Sequence, residues 1–201
     1  MMPVIRKEFD RRDETLKKEL YEMFKNTAVT QSNYLQVQDI LWTNNPRQKM
    51  GGTMDIGAPR TIGGVNWLMA YLEKNGKKLA ELKVGKSGEI FRFGTGELYP
   101  TQYTVELPIT IKDVKGETWS KVLKVWIVTP NIPLLVGKDA HKLLNIRTYP
   151  RDNTCEIGEN YNTRLFDLKE TEGGHWFLEF ESSHREVLFL EECSSELLEN
   201  N

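Results

Sequence analysis

One stretch limits what this chain can fold into more than any other. In Tyr103-Thr-Val-Glu-Leu-Pro-Ile-Thr-Ile111 every odd position is apolar and every even one is polar or proline. A period of two sends alternate side chains to opposite faces of a strand, so this segment must belong to a sheet with one face in a core and one in water. Pro108 has no N–H to give to a ladder, which predicts an edge position or an orientation away from the neighbouring strand. The turn residues Lys115-Gly116-Glu117 come next. They lead into Lys121 to Val128, apolar at Val122, Leu123, Val125, Trp126, Ile127 and Val128, which predicts a hairpin whose second strand is buried on both faces. The chain is therefore read as mainly β.

Helices are expected to be few and short. Leu16, Leu20, Met23 and Phe24 recur at helical spacing after a possible N-cap at Asp13, predicting an amphipathic helix over about 11–26 that packs on the domain or meets a partner. Leu68, Tyr71 and Leu72 share one face of a short helix from Val65 that stops at Asn75-Gly76. The lysine-rich run Lys74 to Lys86 reads as a solvated loop or frayed helix. A β-rich run, Val37 to Thr43, precedes the turn chemistry of Asn44-Asn45-Pro46. Asp139 is a candidate cap for a helix reaching Leu144. Leu165 to Leu168 and Trp176 to Phe180 flank Glu172-Gly173-Gly174 as a second hairpin.

Composition narrows the functional classes. With 201 residues, 39% apolar residues and five tryptophans, the chain can build a real core. A net charge of −2 gives no global reason to expect nucleic acid or a membrane surface as partner. Two distant cysteines, Cys155 and Cys193, suggest no disulfide framework, and no apolar run approaches the length of a membrane span. The N-terminal residues are charged and carry no apolar segment typical of a secretory leader. A soluble, cytoplasmic protein is the expectation.

Several fragments look like known sites and lack an essential part. Gly85-Lys86-Ser87 resembles the end of a phosphate-binding loop, but Ala80 stands where its first glycine should be. Gly94-Thr95-Gly96 lacks the third glycine of a dinucleotide fingerprint. His141, His175 and His184 show no metal-ligand spacing, so no metal and no cofactor is expected. No Gly-x-Ser-x-Gly elbow occurs.

Asp55-Ile56-Gly57-Ala58-Pro59 is different. An aspartate followed after one residue by glycine can present its carboxylate from a tight turn, because the glycine lets backbone N–H groups come close to the acid. Taken alone the pattern also fits an ordinary surface turn. Its surroundings give it weight. Arg60-Thr-Ile-Gly-Gly-Val-Asn-Trp-Leu follows it, then Phe91-Arg-Phe-Gly-Thr-Gly-Glu, then Ile132-Pro-Leu-Leu-Val-Gly-Lys-Asp139, and lastly Gly174-His175-Trp176. From Gly52 to about Ile157 this ordered set resembles the retropepsin-like aspartic proteases of retroviruses and retrotransposons, invertebrate retroelement members most of all.

The resemblance implies a small closed acid-protease barrel with short helices over about 34–160, an N-terminal helical segment over 1–33, and a hairpin with an acidic tail over 161–201. It also implies a mechanism. Asp55 would be the catalytic residue on a loop with Ile56, Gly57 and Ala58. Phe93, Gly94, Thr95 and Gly96 would form a flap over the substrate, and Ile132, Leu134 and Leu135 would line its pockets. A peptide or polyprotein would be hydrolysed by a water held between two aspartates, one of them kept protonated by like-charge repulsion. The sequence holds a single Asp-x-Gly, so the implied active form is a homodimer in which each chain gives one Asp55.

Of three departures from the family pattern, one leaves a second reading open, and the other two together are a coherent change that need not be harmful. Ile56 stands where the family has Thr or Ser, whose hydroxyl bonds across the dimer, and a buried partner left unsatisfied costs about 1–3 kcal/mol. Lys138 replaces the usual Arg, and Pro59 stands where many members place its acidic partner. The alternative is a catalytically decayed fold serving as a dimerisation or protein-interaction module. A piece of a larger polyprotein would account for the charged N-terminal helix as well.

Overall fold

A computed structural model of the chain describes residues 14–23, 50–93, 96–129, 132–159, 162–171 and 173–181. The expected strand Val37 to Thr43, the cap Asp13, and Phe24, His184 and Cys193 lie outside them. In chain order the elements are α1 (14–23), β1 (Gly51–Met54), β2 (Ile62–Gly64), α2 (Val65–Lys74), β3 (Lys83–Lys86), β4 (Ile90–Arg92) and β5 (Leu98–Pro100). They continue with β6 (Tyr103–Lys112), β7 (Thr118–Val128), β8 (Leu134–Val136), α3 (Lys138–Leu143), β9 (Arg147–Tyr149), β10 (Thr154–Ile157), β11 (Arg164–Asp167), β12 (Lys169–Glu170) and β13 (Trp176–Glu179). The fold is mainly β. No helix among the described residues is long and apolar enough to cross a membrane.

The alternating stretch is β6, and Tyr103, Val105, Leu107, Ile109 and Ile111 are all buried. It pairs along its length with β7 around a turn where the Asp113 carboxylate accepts the N–H groups of Lys115 and Glu117 at 3.0 and 2.8 Å. On its other side β3 pairs only with Tyr103 to Glu106, so Pro108 lies past the end of that neighbour and its missing N–H breaks no bond there. The second strand departs from expectation. Val125 to Val128 are buried on both faces, but Val122 is 49% exposed, because no described residue covers the outer face at that end of β7.

The lysine-rich run is likewise more ordered than its charge suggested. Leu79–Glu81 is a turn of 3-10 helix and Lys83–Lys86 is β3, with Val84 turned into the core and both lysines outward. Helix α1 packs on the same region. Leu20 is fully buried, Leu16 and Met23 lie against the core, and the Tyr103 hydroxyl donates to Glu19 at 2.9 Å.

The main sheet has the order β12-β13-β1-β8-β2-β7-β6-β3. Among the described residues no strand pairs beyond β12 or β3, so they form no closed barrel. The expected hairpin of Leu165–Leu168 with Trp176–Phe180 is divided between two sheets. β11 pairs with β10 in the sheet β11-β10-β9, and only β12 pairs with β13. Packing explains the split. Phe166 stacks on Trp119 at 5.8 Å and Arg164 reaches Asp113 at 3.4 Å, which draws β11 to the β6–β7 turn. β13 continues into the main sheet, antiparallel to β1.

Helix α2 follows β2 at once and buries Val65, Trp67, Leu68, Tyr71 and Leu72. It ends where Asn75 turns its side-chain amide back to the Tyr71 carbonyl at 2.8 Å and Gly76 takes a φ of 58°. The Tyr71 ring stacks on Trp67 at 5.5 Å, and its hydroxyl donates to the Pro108 carbonyl, joining helix to sheet. Burial pushes the Tyr71 phenol up from its ordinary value to about 12. A phenol that stays neutral in the fold but ionises near 10 when unfolded contributes stability below pH 10, and that stability is lost as the pH rises towards 12. Tyr71→Phe is expected to cost about 0.5–1.5 kcal/mol at neutral pH through the lost hydrogen bond. The same variant should also show a smaller fall in stability between pH 10 and 12. Urea titrations at pH 7 and across the alkaline range check both.

Candidate active site

Asp55 directly follows Met54, the last residue of β1. Its N–H donates to the Val136 carbonyl at 3.0 Å, extending the parallel pairing of β1 with β8 by one residue before the chain turns. The turn then closes on the acid. Gly57 and Ala58 both donate N–H bonds to Asp55 Oδ1, at 2.9 and 3.2 Å, and Ala58 N–H also lies 3.2 Å from the Asp55 carbonyl. These bonds hold the half-exposed carboxylate against the loop just past β1. Ile56 forms the tip and is 67% exposed.

The loop is fastened from below by the segment that starts α3. Lys138 N–H donates to the Ala58 carbonyl at 2.8 Å, and Gly137 N–H to the Thr61 hydroxyl at 3.2 Å. The fully buried Thr61 in turn donates to Asp139 Oδ1 at 2.8 Å. Asp139 is therefore not the cap of α3. Gly137 holds that place, and the Asp139 carboxylate serves the loop and the N–H of Ala140 at 2.7 Å. The contact at Gly137 leaves no room for a side chain, since a Cβ there would lie 2.1 Å from the Arg60 carbonyl oxygen.

The hairpin of β4 and β5 forms a separate two-stranded sheet tied to the loop through its stem. Gly96, with a φ of 84°, makes its turn by donating to the Phe93 carbonyl at 2.8 Å. Phe93 lies against Tyr99 at 5.2 Å, and together with Ile132 they pack on a small apolar cluster of Ile62, Phe91, Trp126 and Val128. Gly94 and Thr95 lie outside the described residues. Arg60 joins the loop to the stem of the hairpin through Glu89 at 3.1 Å, with its guanidinium 5.0 Å from the Trp126 ring. The Glu89 hydrogen bond raises the Arg60 pKa. The pair is more than a third exposed, so its role is to orient rather than to stabilise.

The pocket expectations divide by the period of the strand. On β8, Leu134 and Val136 point inward and Leu135 is half-buried on the other face. Leu134 is fully buried in the main core and presents no surface to a substrate, which corrects its expected place in a pocket. Ile132 and Leu135 keep partly open surfaces. Arg60, Thr61 and Glu89 were not expected at the site. A polar Thr61 at the head of an apolar run was the sole local hint, since their partners lie far off in sequence. No family model matches the chain, and no curated protein matches it.

Proposed function

We propose that the chain is an aspartic endopeptidase of retroelement type, built on a retropepsin-like fold and acting as a homodimer. The observation that carries the reading is the presentation of Asp55. Its carboxylate is held by two backbone N–H groups just past the end of a buried strand, on a loop that Arg60 ties through Glu89 to the stem of a two-stranded hairpin. In this reading two copies bring their Asp55 side chains together around one water. One carboxylate takes a proton from the water and the other, protonated, polarises the scissile carbonyl. The two acids titrate as a pair. An extended peptide runs between hairpin and loop, with Ile132 and Leu135 lining its side-chain pockets. Ile56, apolar and 67% exposed at the loop tip, supports a second copy, because a partner chain at the symmetry axis removes it from water.

The test is cleavage of unfolded casein or a peptide library at mildly acid pH, with size in solution measured alongside. Cleavage blocked by a pepstatin-type inhibitor, from a particle twice the chain's mass, is the expected result. A monomer that cuts nothing would sink the reading.

Ile56 also motivates the second reading, a fold that keeps its dimer contacts and has lost its chemistry. Isoleucine has no hydroxyl to bond across the two loops. Ile56→Thr restores one, and if the hydrogen bond orders both loops it is expected to raise kcat by about tenfold, the equivalent of one charge-free bond of roughly 1.4 kcal/mol. A silent parent that gains cleavage in Ile56→Thr identifies a decayed protease. An active parent unaffected by the change shows that the loops are already ordered.

A further inference from the structure

Two cations converge on one covered ring. The Arg60 guanidinium lies 5.0 Å from the centroid of the Trp126 ring, and Lys124 Nζ lies 5.0 Å from the same ring. The two groups are therefore within twice that distance of each other. Trp126 is only 6% exposed and packs with Ile62, Phe91 and Val128. Each cation is attracted to the ring face, but the pair repel one another, and no carboxylate among the described residues bridges them.

Neither cation has its charge fully met. Glu106 stands directly across from Lys124 on β6, yet it pairs with Lys83 at 2.7 Å, and the exposed Lys124 makes no ion pair among the described residues. Arg60 is engaged on one side only. Its Nε donates to Glu89 Oε2 at 3.1 Å, while its two terminal nitrogens, the fork that matches a carboxylate, make no bond among the described residues. The fork is nevertheless held in place. Glu89 and the ring fix the side chain, the Arg60 carbonyl is pressed against Gly137, and 43% of the side chain remains open to solvent.

We infer that Arg60 and Lys124, meeting on Trp126, form a binding site for the carboxylate of an acidic residue in a peptide. The neighbouring Glu89 favours a singly charged ligand over a phosphate, whose additional charge it would repel. The chain's net charge of −2 supplies no broad positive field for a nucleic acid. Phe93, Tyr99 and Ile132, partly buried on the same cluster as Trp126, offer apolar surface to the rest of a peptide. The role in choosing the sequence that flanks a cut bond rests on the proteolytic reading above, but the binding of the carboxylate does not.

The test uses the full chain carrying Asp55→Asn, to keep bound peptides intact, and a library of unfolded peptides in which every Asp- or Glu-containing member has its Asn or Gln counterpart. Acidic members are expected to bind about tenfold more tightly than their amide counterparts, the worth of one half-exposed charged hydrogen bond. Arg60→Gln and Lys124→Gln should each narrow that gap. Arg60→Lys, which keeps the charge and loses the fork, should restore only part of it. A role confined to packing would move both members of a pair alike. No preference for acidic members, or a preference untouched in both Gln variants, overturns the inference. Cleavage of the same library by the wild-type chain separates the site from the proteolytic reading. Cutting with no acidic preference overturns the site alone, and acid-selective binding by a chain that cuts nothing supports the site and refutes the protease. Lys124 is exposed on its strand, so the comparison stands even if Arg60→Gln does not fold.

Discussion

If the chain is the protease proposed above, Asp55→Asn is expected to lower peptide-bond cleavage by about 10²–10⁴-fold, the usual contribution of a positioned acid–base group, with no loss of fold. The two effects separate because of how the side chain is held. The side-chain amide of the variant keeps an oxygen that can accept the N–H groups of Gly57 and Ala58, as Oδ1 does in the wild type. The bond from the residue's own N–H to Val136 does not involve the side chain at all. What disappears is the capacity to take and return a proton, and in a homodimer it disappears from both halves of the site. Single-turnover cleavage measured beside thermal unfolding checks the pair of outcomes. Cleavage that persists in Asp55→Asn at wild-type rates would assign the activity to another residue.

Gly137→Ala is expected to be the most damaging single methyl group in the described chain. The added carbon would meet the Arg60 carbonyl oxygen at 2.1 Å, the Arg60 carbonyl carbon at 2.3 Å and the Thr61 nitrogen at 2.8 Å. All three are backbone atoms, which cannot swing aside as a side chain can. Relief requires α3 and the 58–61 segment to part, and parting them breaks the bonds from Lys138 to Ala58 and from Gly137 to Thr61. The cost should reach or exceed the top of the about 1–3 kcal/mol range for overpacking. For a domain of this size that lowers Tm by roughly 6–12 °C or more, at about 2–4 °C for each kcal/mol. Because the strain falls on the loop that carries Asp55, cleavage should fall further than stability alone requires. A Gly137→Ala chain with wild-type Tm would mean that the two segments are not in contact.

The parts of the fold that were legible in the sequence are those decided by local pattern. β6 buries the residues its alternation selects, and α2 starts at Val65 and stops at Asn75-Gly76 as its composition requires. Failures came where a distant element decides which surface is covered. Val122 looks as apolar as Val128, yet Val128 lies in the cluster beneath the β4–β5 hairpin and Val122 faces water. β11 reads as half of a hairpin until Trp119 and Asp113, far back along the chain, are seen to hold it elsewhere. The candidate site shows the same division. Asp55 and its glycine could be found from three adjacent letters. The ties that hold them, Thr61 to Asp139 and Arg60 to Glu89, join residues that no spacing rule connects.

The pairing of β13 with β1 sets the order in which this molecule can be completed. Gly51, Gly52 and Thr53 find their outer partners in Glu179, Leu178 and Phe177, which leave the ribosome long after Asp55 does. Until then the strand that leads to Asp55 has an unzipped flank, open to any passing strand. A chain released or cut short of Trp176 would keep every residue of the loop and still lack the seam beside it.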